Sequence, residues 1–227
     1  MPIHKKVNKK FFKKWSSDMA YILGFIYADG SIDINPRGSN YISIQICDKD
    51  LLYQIREKLD SNHKISVRYR VGNESDQFRL QIGSKEMCND LRGFGLTEQK
   101  TFNLEFPDIP RKYLGDYVRG YFDGDGGVYM GDHLRKDTGK FRVVFKTGFT
   151  SGCKRFLVKL HLVLKQYTDI KGGFIIIKTG GFELVFSHHD SLALYQFMYN
   201  NASTSIFLKR KKDIFEKAFR KLGYTQR

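Results

Sequence analysis

Hydrophobic positions along this chain switch between a helical and a two-residue period. Leu51, Leu52, Ile55 and Leu59 recur at helical spacing and predict a helix near 49–60. Strict alternation follows: Ile65, Val67, Tyr69 and Val71 share one face of a strand near 63–71, with Ser66, Arg68 and Arg70 on the other. A turn at Gly72-Asn73 leads to a strand near 76–83, where Phe78, Leu80 and Ile82 oppose Gln77, Arg79 and Gln81. A helix over about 17–29, strands near 30–35 and 40–47 and a helix near 84–92 complete the first half.

The same order returns later, at about 111–124, 127–132, 140–148, 152–166, 174–179, 182–187 and 189–200, and a basic helix over 204–222 closes the chain. The repetition extends to residues. Ile22-Leu23-Gly24-Phe25-Ile26-Tyr27-Ala28-Asp29-Gly30 reappears as Val118-Arg119-Gly120-Tyr121-Phe122-Asp123-Gly124-Asp125-Gly126, an offset of 96 (125 − 29). Phe106-Pro107-Asp108-Ile109-Pro110 carries two of the four prolines and predicts the boundary, giving one unit over 1–105 and a second over 106–227. The fold class is α+β, two αββαββα repeats.

As helices, the repeated segments bear stripes of very small residues, Gly24 with Ala28 and Gly120 with Gly124. A glycine inside a helix costs about 1 kcal/mol relative to alanine, and close helix-to-helix packing is the compensating reason. Gly30 and Gly126 are expected in left-handed C-terminal caps. Two such helices side by side bring Asp29 and Asp125 together at the negative ends of both helix dipoles. A divalent cation resolves that conflict, and oxygen donors beside a phosphodiester suit Mg²⁺, which would polarise the phosphate and activate water.

Composition narrows the partner. Thirty-nine Lys and Arg against 24 Asp and Glu give +15 and a pI near 9.6, an excess that favours a polyanion, though charge alone equally fits a ribosomal or merely basic soluble protein. Arg and Gln on one strand face suit the guanine and adenine edges of the major groove. In the second half Arg142 and Lys146 oppose Phe141, Val143 and Phe145, whereas Phe174 to Ile177 is too apolar to assign a face. Candidate DNA-binding positions are Ser31, Asp33, Arg37, Ser43, Gln45, Ser66, Arg68, Arg70, Gln77, Arg79, Gln81, Tyr129, Arg135, Arg142, Lys146 and Lys178. Asn40, His133 and Lys136 are further loop candidates. The lysines before residue 15 and Lys209-Arg210-Lys211-Lys212 are expected to contact phosphates. Cys47, Cys88 and Cys153 have no CxxC spacing and read as small buried hydrophobes of a reducing compartment. With no stretch of about 18 apolar residues, the reading is a soluble intracellular protein of a bacterial cytoplasm or an organelle.

The paired motifs resemble the two LAGLIDADG motifs of monomeric homing endonucleases, and the resemblance covers nearly the whole chain. It implies a pseudo-twofold saddle of two antiparallel sheets over the DNA major groove. It also implies Mg²⁺-dependent cutting of both strands at a long asymmetric site, leaving 3′ overhangs. Mn²⁺ would substitute, and Ca²⁺ would support binding without cleavage. On this resemblance Asp29 and Asp125 are catalytic metal ligands, joined by the carbonyls of Ala28 and Gly124. Tyr27 stands where many members carry Asp, at a position that is not a metal ligand. A polar residue after the second strand corresponds to Asp48, with Thr150 or Ser151 in the second repeat; a lysine late in each repeat corresponds to Lys100 and to Lys209 or Lys211. The alternative is an RNA-splicing maturase or a non-cleaving DNA-binding regulator on the same scaffold. No splicing-domain sequence flanks the motifs, which argues against an intein. Two other motif matches fail on context. Asp123-Gly124-Asp125-Gly126 does not end an apolar strand as an aspartyl phosphatase loop requires, and an EF-hand reading would place Leu134 where a bidentate Glu belongs.

Overall fold

A computed structural model describes residues 5–70, 75–98, 103–200, 202 and 204–224. The first repeat runs α1 (Ser17–Asp29), β1 (Gly30–Ile34), β2 (Asn40–Ile46), α2 (Lys49–Lys58), β3 (Ile65–Arg68), β4 (Gln77–Gly83) and α3 (Lys85–Gly93). The second runs α4 (Leu114–Asp125), β5 (Gly126–Leu134), β6 (Phe141–Ser151), α5 (Lys154–Tyr167), β7 (Phe174–Lys178), β8 (Gly181–Ser187) and α6 (His188–Tyr199), followed by α7 (Lys209–Leu222). Each repeat folds its strands into one antiparallel sheet with the same topology, β1-β2-β4-β3 and β5-β6-β8-β7. Helices cover one face of each sheet and the other face is left open.

The two repeats meet through α1 and α4. Ser16 starts α1 by accepting the Met19 amide at 3.1 Å, and every residue from Met19 to Tyr27 is buried. Helix α1 is therefore apolar on all sides, as a helix enclosed by its own fold must be. A Cβ on Gly24 would overlap the Tyr117 carbonyl, one on Gly120 the Tyr21 carbonyl, and one on Gly124 the Cβ of Ala28. The two backbones touch, and the small-residue stripe is the reason.

The closing glycines serve a different purpose from the one expected. Gly30 (φ −93°) and Gly126 (φ −92°) are extended, not left-handed, so each helix passes straight into a strand. What excludes a side chain is space: a Cβ on Gly30 would lie 2.8 Å from Cα of Ile26, and one on Gly126 would run into the Phe122 ring.

Other differences follow from position in the sheets. Strand β3 is a short edge, so only Ile65 reaches the core while Val67 and Tyr69 are exposed. Arg70 lies past its end, its amide bonded to Asp76, and Val71 with the Gly72-Asn73 turn lies outside the described residues. The β5–β6 hairpin pairs nine residues against five for β1–β2 and projects beyond the helices, which leaves Leu134 and Phe141 exposed. Cys88 and Cys153 are buried, but Cys47 is exposed. Among the described residues no helix is long and apolar enough to cross a membrane.

Two of the lysines ahead of α1 are engaged within the protein. Lys6 pairs with Asp60 at 2.6 Å and Lys13 with Asp90 of α3 at 2.5 Å, on the helical side of the first sheet. In α4, Arg119 stands where the first repeat has Leu23 and is wholly buried. It bonds Asp116 at 2.7 Å and the carbonyls of Met198 and Ile206, which ties α4 to the C-terminal segment.

Alanine inside a helix is ordinarily about 1 kcal/mol better than glycine. Gly120→Ala should instead destabilise the protein by about 1–3 kcal/mol in urea denaturation, because the helices must separate. Gly127→Ala, whose Cβ would meet nothing within 4 Å, should stay within about 0.5 kcal/mol. Equal effects would contradict the backbone contact.

Candidate active site and nucleic-acid interface

Asp29 and Asp125 end α1 and α4, so the close helix contact sets their separation. Asp29 reaches toward the partner helix: a Cβ on Gly124 would lie 3.2 Å from Asp29 Oδ2. After burial, the nearby Asp125 and Asp29 carboxylates are what hold the buried Tyr121 phenol well above its ordinary pKa. Asp29 is exposed and Asp125 half-buried, the latter lining a cavity of about 300 Å³ with Thr150, Ser151, Lys178 and Phe182.

The C-terminus of α4 is closed by side chains. Lys211 is buried, and its Nζ donates to the carbonyls of Phe122 (2.7 Å), Asp123 (2.8 Å), Gly124 (3.2 Å) and Gly126 (2.6 Å). Thr150 Oγ1 donates to the remaining carbonyl, that of Asp125, at 2.8 Å. Burial lowers the Lys211 pKa to about 8 against the opposing pull of Asp123, Asp29 and Asp125. Behind it, Asp123 is buried and accepts from Tyr21 Oη (2.7 Å) and the Leu208 amide (2.8 Å), and burial raises its carboxyl to about 6. An ammonium thus sits where two helix dipoles and two carboxylates converge, giving part of the neutralisation that the sequence reading assigned to a metal alone.

Several expected residues fall elsewhere. Lys209 is exposed at the start of α7, and Lys211 is the lysine that turns inward. Lys100 lies outside the described residues. Asp48 precedes α2 and is held by Arg210, with Nε–Oδ1 at 3.1 Å and a second bond from the guanidinium at 3.0 Å, so it carries a contact to α7. The register also changes its counterpart. Gly30 pairs with Ile44 and Gly126 with Phe149, which makes Gln45 and Thr150 equivalent and puts Cys153, not Thr150 or Ser151, opposite Asp48. Of the Lys209–Lys212 run, Lys212 pairs with Glu216 at 3.7 Å.

The open face of the first sheet carries Ser31, Asp33, Tyr41, Ser43, Gln45, Ser66, Arg68, Gln77, Arg79 and Gln81 in register. It is wired in advance. Asp33 accepts from Ser31 (3.0 Å) and Ser43 (2.6 Å), Arg79 donates to Ser43 (3.2 Å), and Gln45 bonds Gln77 (2.6 Å). The second sheet's open face holds Tyr129, Arg142, Lys146 and Lys178, the last paired with Glu183 at 2.9 Å. Arg37 is exposed in the β1–β2 turn, and Arg135 in the β5–β6 turn bonds Asp137.

These features can be set beside known proteins. Residues 16–92 match the model of a LAGLIDADG-like domain. The structure superposes on the meganuclease I-SmaMI bound to uncleavable DNA with a TM-score of 0.61 at 16% identity, covering 89% of each chain. It superposes equally (0.61, 13% identity, 95% of this chain and 92% of the other) on the I-LtrWI LAGLIDADG homing endonuclease bound to target DNA. The chain is built on the LAGLIDADG fold. In sequence, the chain is 28% identical over 132 residues (55% of it, 47% of the relative) to an uncharacterised protein of Methanocaldococcus jannaschii. It is 27% identical over 227 residues (97% of it, 17% of the relative) to a probable translation initiation factor IF-2 of Thermococcus kodakarensis. The chain spans less than half the length of the curated relatives it matches.

Sequence reasoning missed Arg119, the Tyr21–Asp123 bond and the inward turn of Lys211. Arg119 had a visible signal, a charge where the other motif copy has leucine. Lys211→Met keeps the length but leaves four carbonyls and Asp123 without their cation. It should cost about 3–5 kcal/mol in urea denaturation, whereas Lys209→Met should change stability by less than about 0.5 kcal/mol. Equal losses would show that Lys211 does not hold the α4 end.

Proposed function

We propose that the chain is a site-specific endonuclease that cuts both strands of duplex DNA, acting as a monomer. The observation that carries this reading is the pair Asp29 and Asp125, held side by side where α1 and α4 end between two open sheet faces, the first bearing Arg and Gln and the second Arg and Lys. The solved proteins of this fold described above are DNA-bound endonucleases by name, which supports the reading. Translation is not transferred: the similar segment is 17% of the initiation factor and 18% of an RNA polymerase subunit of Methanocaldococcus jannaschii, proteins that share no activity by name.

The donors fit a hard divalent cation. Among the described residues no group of three or more His, Cys, Asp or Glu gathers, so nitrogen- and sulfur-rich sites are not offered. Two carboxylates with the carbonyls of Ala28 and Gly124 form an oxygen-only set that leaves positions for water and phosphate, as Mg²⁺ prefers. The Gly124 carbonyl accepts from Lys211 but keeps a second lone pair. A bound cation would supply a polarised phosphodiester and a more acidic water. The protein's own residues do the rest. Asp29 and Asp125 each serve the cut on one strand, Lys211 fixes the α4 end, and the units 1–105 and 106–227 each cover half of the target. Lys100 is proposed as the first repeat's counterpart of Lys211.

Asp29→Asn or Asp125→Asn should abolish cutting of one or both strands of a selected target, measured in Mg²⁺, while binding survives or tightens as repulsion of phosphate falls. Ca²⁺ should allow binding without cutting; a solved structure of I-SmaMI on uncleaved DNA was obtained with calcium present. Full cutting by either variant would refute the site, and wild type that binds but cuts no duplex would favour the maturase or regulator reading.

Binding should weaken steeply with salt, log K falling about 0.9 per phosphate neutralised. Arg79→Ala should relax base preference locally at a cost of about 1–3 kcal/mol in a competition assay. Uniform weakening across sequences would make Arg79 a phosphate contact.

A further inference from the structure

The two open faces carry different chemistry at equivalent positions. In the first sheet the cross-strand row one step out from Gly30 is Ser31–Ser43–Gln81, and the next row toward the centre is Gln45–Arg79–Ser66. Every one of those side chains can hydrogen-bond a base. The equivalent rows of the second sheet are Gly127–Gly148–Val185–Phe174 and Thr150–Glu183–Ile176. The first of these has no side-chain donor or acceptor at all, and it lies beside Asp125.

Burial does not account for these apolar residues. Leu184 is fully buried, so its neighbours Glu183 and Val185, with their partners Ile176 and Phe174, point to the open face. There Phe174 is 59% and Ile176 38% exposed. Nor does folding require Gly127, where a Cβ would meet nothing within 4 Å and φ is not positive. The strip formed by these rows lies next to the acidic pair, with the Glu183 carboxylate drawn over Gly148 and paired with Lys178 at 2.9 Å, and with Lys146 on the same face. It belongs to the surface proposed above to meet DNA, and its apolar contact atoms are those of Phe174, Ile176 and Val185. In the major groove the apolar feature such a strip can meet is the C5-methyl group of thymine.

We infer that the half-site under the second repeat is read by van der Waals contact, with Phe174, Ile176 and Val185 seated on thymine methyl groups near the cleavage centre. The first half-site is read by hydrogen bonds. This rests on the endonuclease reading, and the test separates the two. Preferred duplexes are first selected from a randomised pool with the whole chain. Thymines in each half are then replaced by deoxyuridine, which removes the methyl and preserves base pairing. Wild type should bind about fourfold more weakly for each contacted thymine replaced under the second repeat, the loss of roughly one buried methyl. Replacement under the first repeat should change binding by less than about twofold. The double variant Phe174→Ser, Ile176→Ser, whose sites are exposed and whose fold is checked by thermal melting, should lose the distinction between thymine and uracil at the positions those two side chains contact. Duplexes bound and cut with no uracil penalty, or a penalty kept by the double variant, would overturn the inference alone. Failure to bind any duplex would overturn the endonuclease reading as well. A dimer by light scattering that persists with DNA would place a second copy on this strand and overturn it too.

Discussion

The contact between the α1 and α4 backbones governs the rest of the structure. Gly24 lies against the Tyr117 carbonyl and Gly120 against that of Tyr21, a separation that no larger residue permits. Ridges of ordinary side chains hold helix axes about 8–10 Å apart. Removing the side chains lets the helices end nearly in register, and the residues at those ends, Asp29 and Asp125, come together as a consequence. The same contact joins the two sheets into one body around a continuous apolar core. Stability and the acidic centre are therefore not independent features.

Bringing like charges and like dipole ends together is unfavourable, and the protein offsets part of it internally. Lys211 projects from α7 into the end of α4 and satisfies carbonyls from Phe122 to Gly126. Burying an ammonium is costly, as its lowered pKa reflects, and is sustained here by four acceptors and by Asp123. Asp123 is in turn fixed by Tyr21 from α1, so the counter-ion, the helix end and the helix contact form one network. The carboxylates of Asp29 and Asp125, proposed above as metal ligands, end the same two helices that this network joins.

Much of this was legible in the sequence because it is periodic. The repeat offset, the strand alternation of β4 and the small-residue stripes depend on local spacing, and helix α1 and strands β2 and β4 fall within a residue of their predicted bounds at most ends. What was not legible depends on distant partners. Nothing in Lys209-Arg210-Lys211-Lys212 distinguishes the one lysine that turns inward; that is decided by where α7 crosses α4. Asp48 looks available until Arg210, 162 positions later, is seen to hold it. Val67 and Tyr69 follow the alternation of a core strand, but β3 is an edge with nothing packed beneath them. Gly30 and Gly126 were correct as glycines and wrong as left-handed caps, because space against Ile26 and Phe122, not backbone conformation, selects them.

Duplication within one chain frees the two halves from identity. A symmetric dimer must present the same face twice, whereas here each sheet has changed alone while the topology stayed fixed. The halves keep the same glycine at the helix contact, where any side chain on Gly24 or Gly120 would displace both repeats. They differ on the open faces, where serine and glutamine in one repeat take the places of glycine, valine and phenylalanine in the other. The close approach of the backbones limits what the helix contact can hold, whereas side chains on the open faces meet no such limit. The packing fixes where the acidic pair sits, and substitution on the open faces leaves that position unchanged.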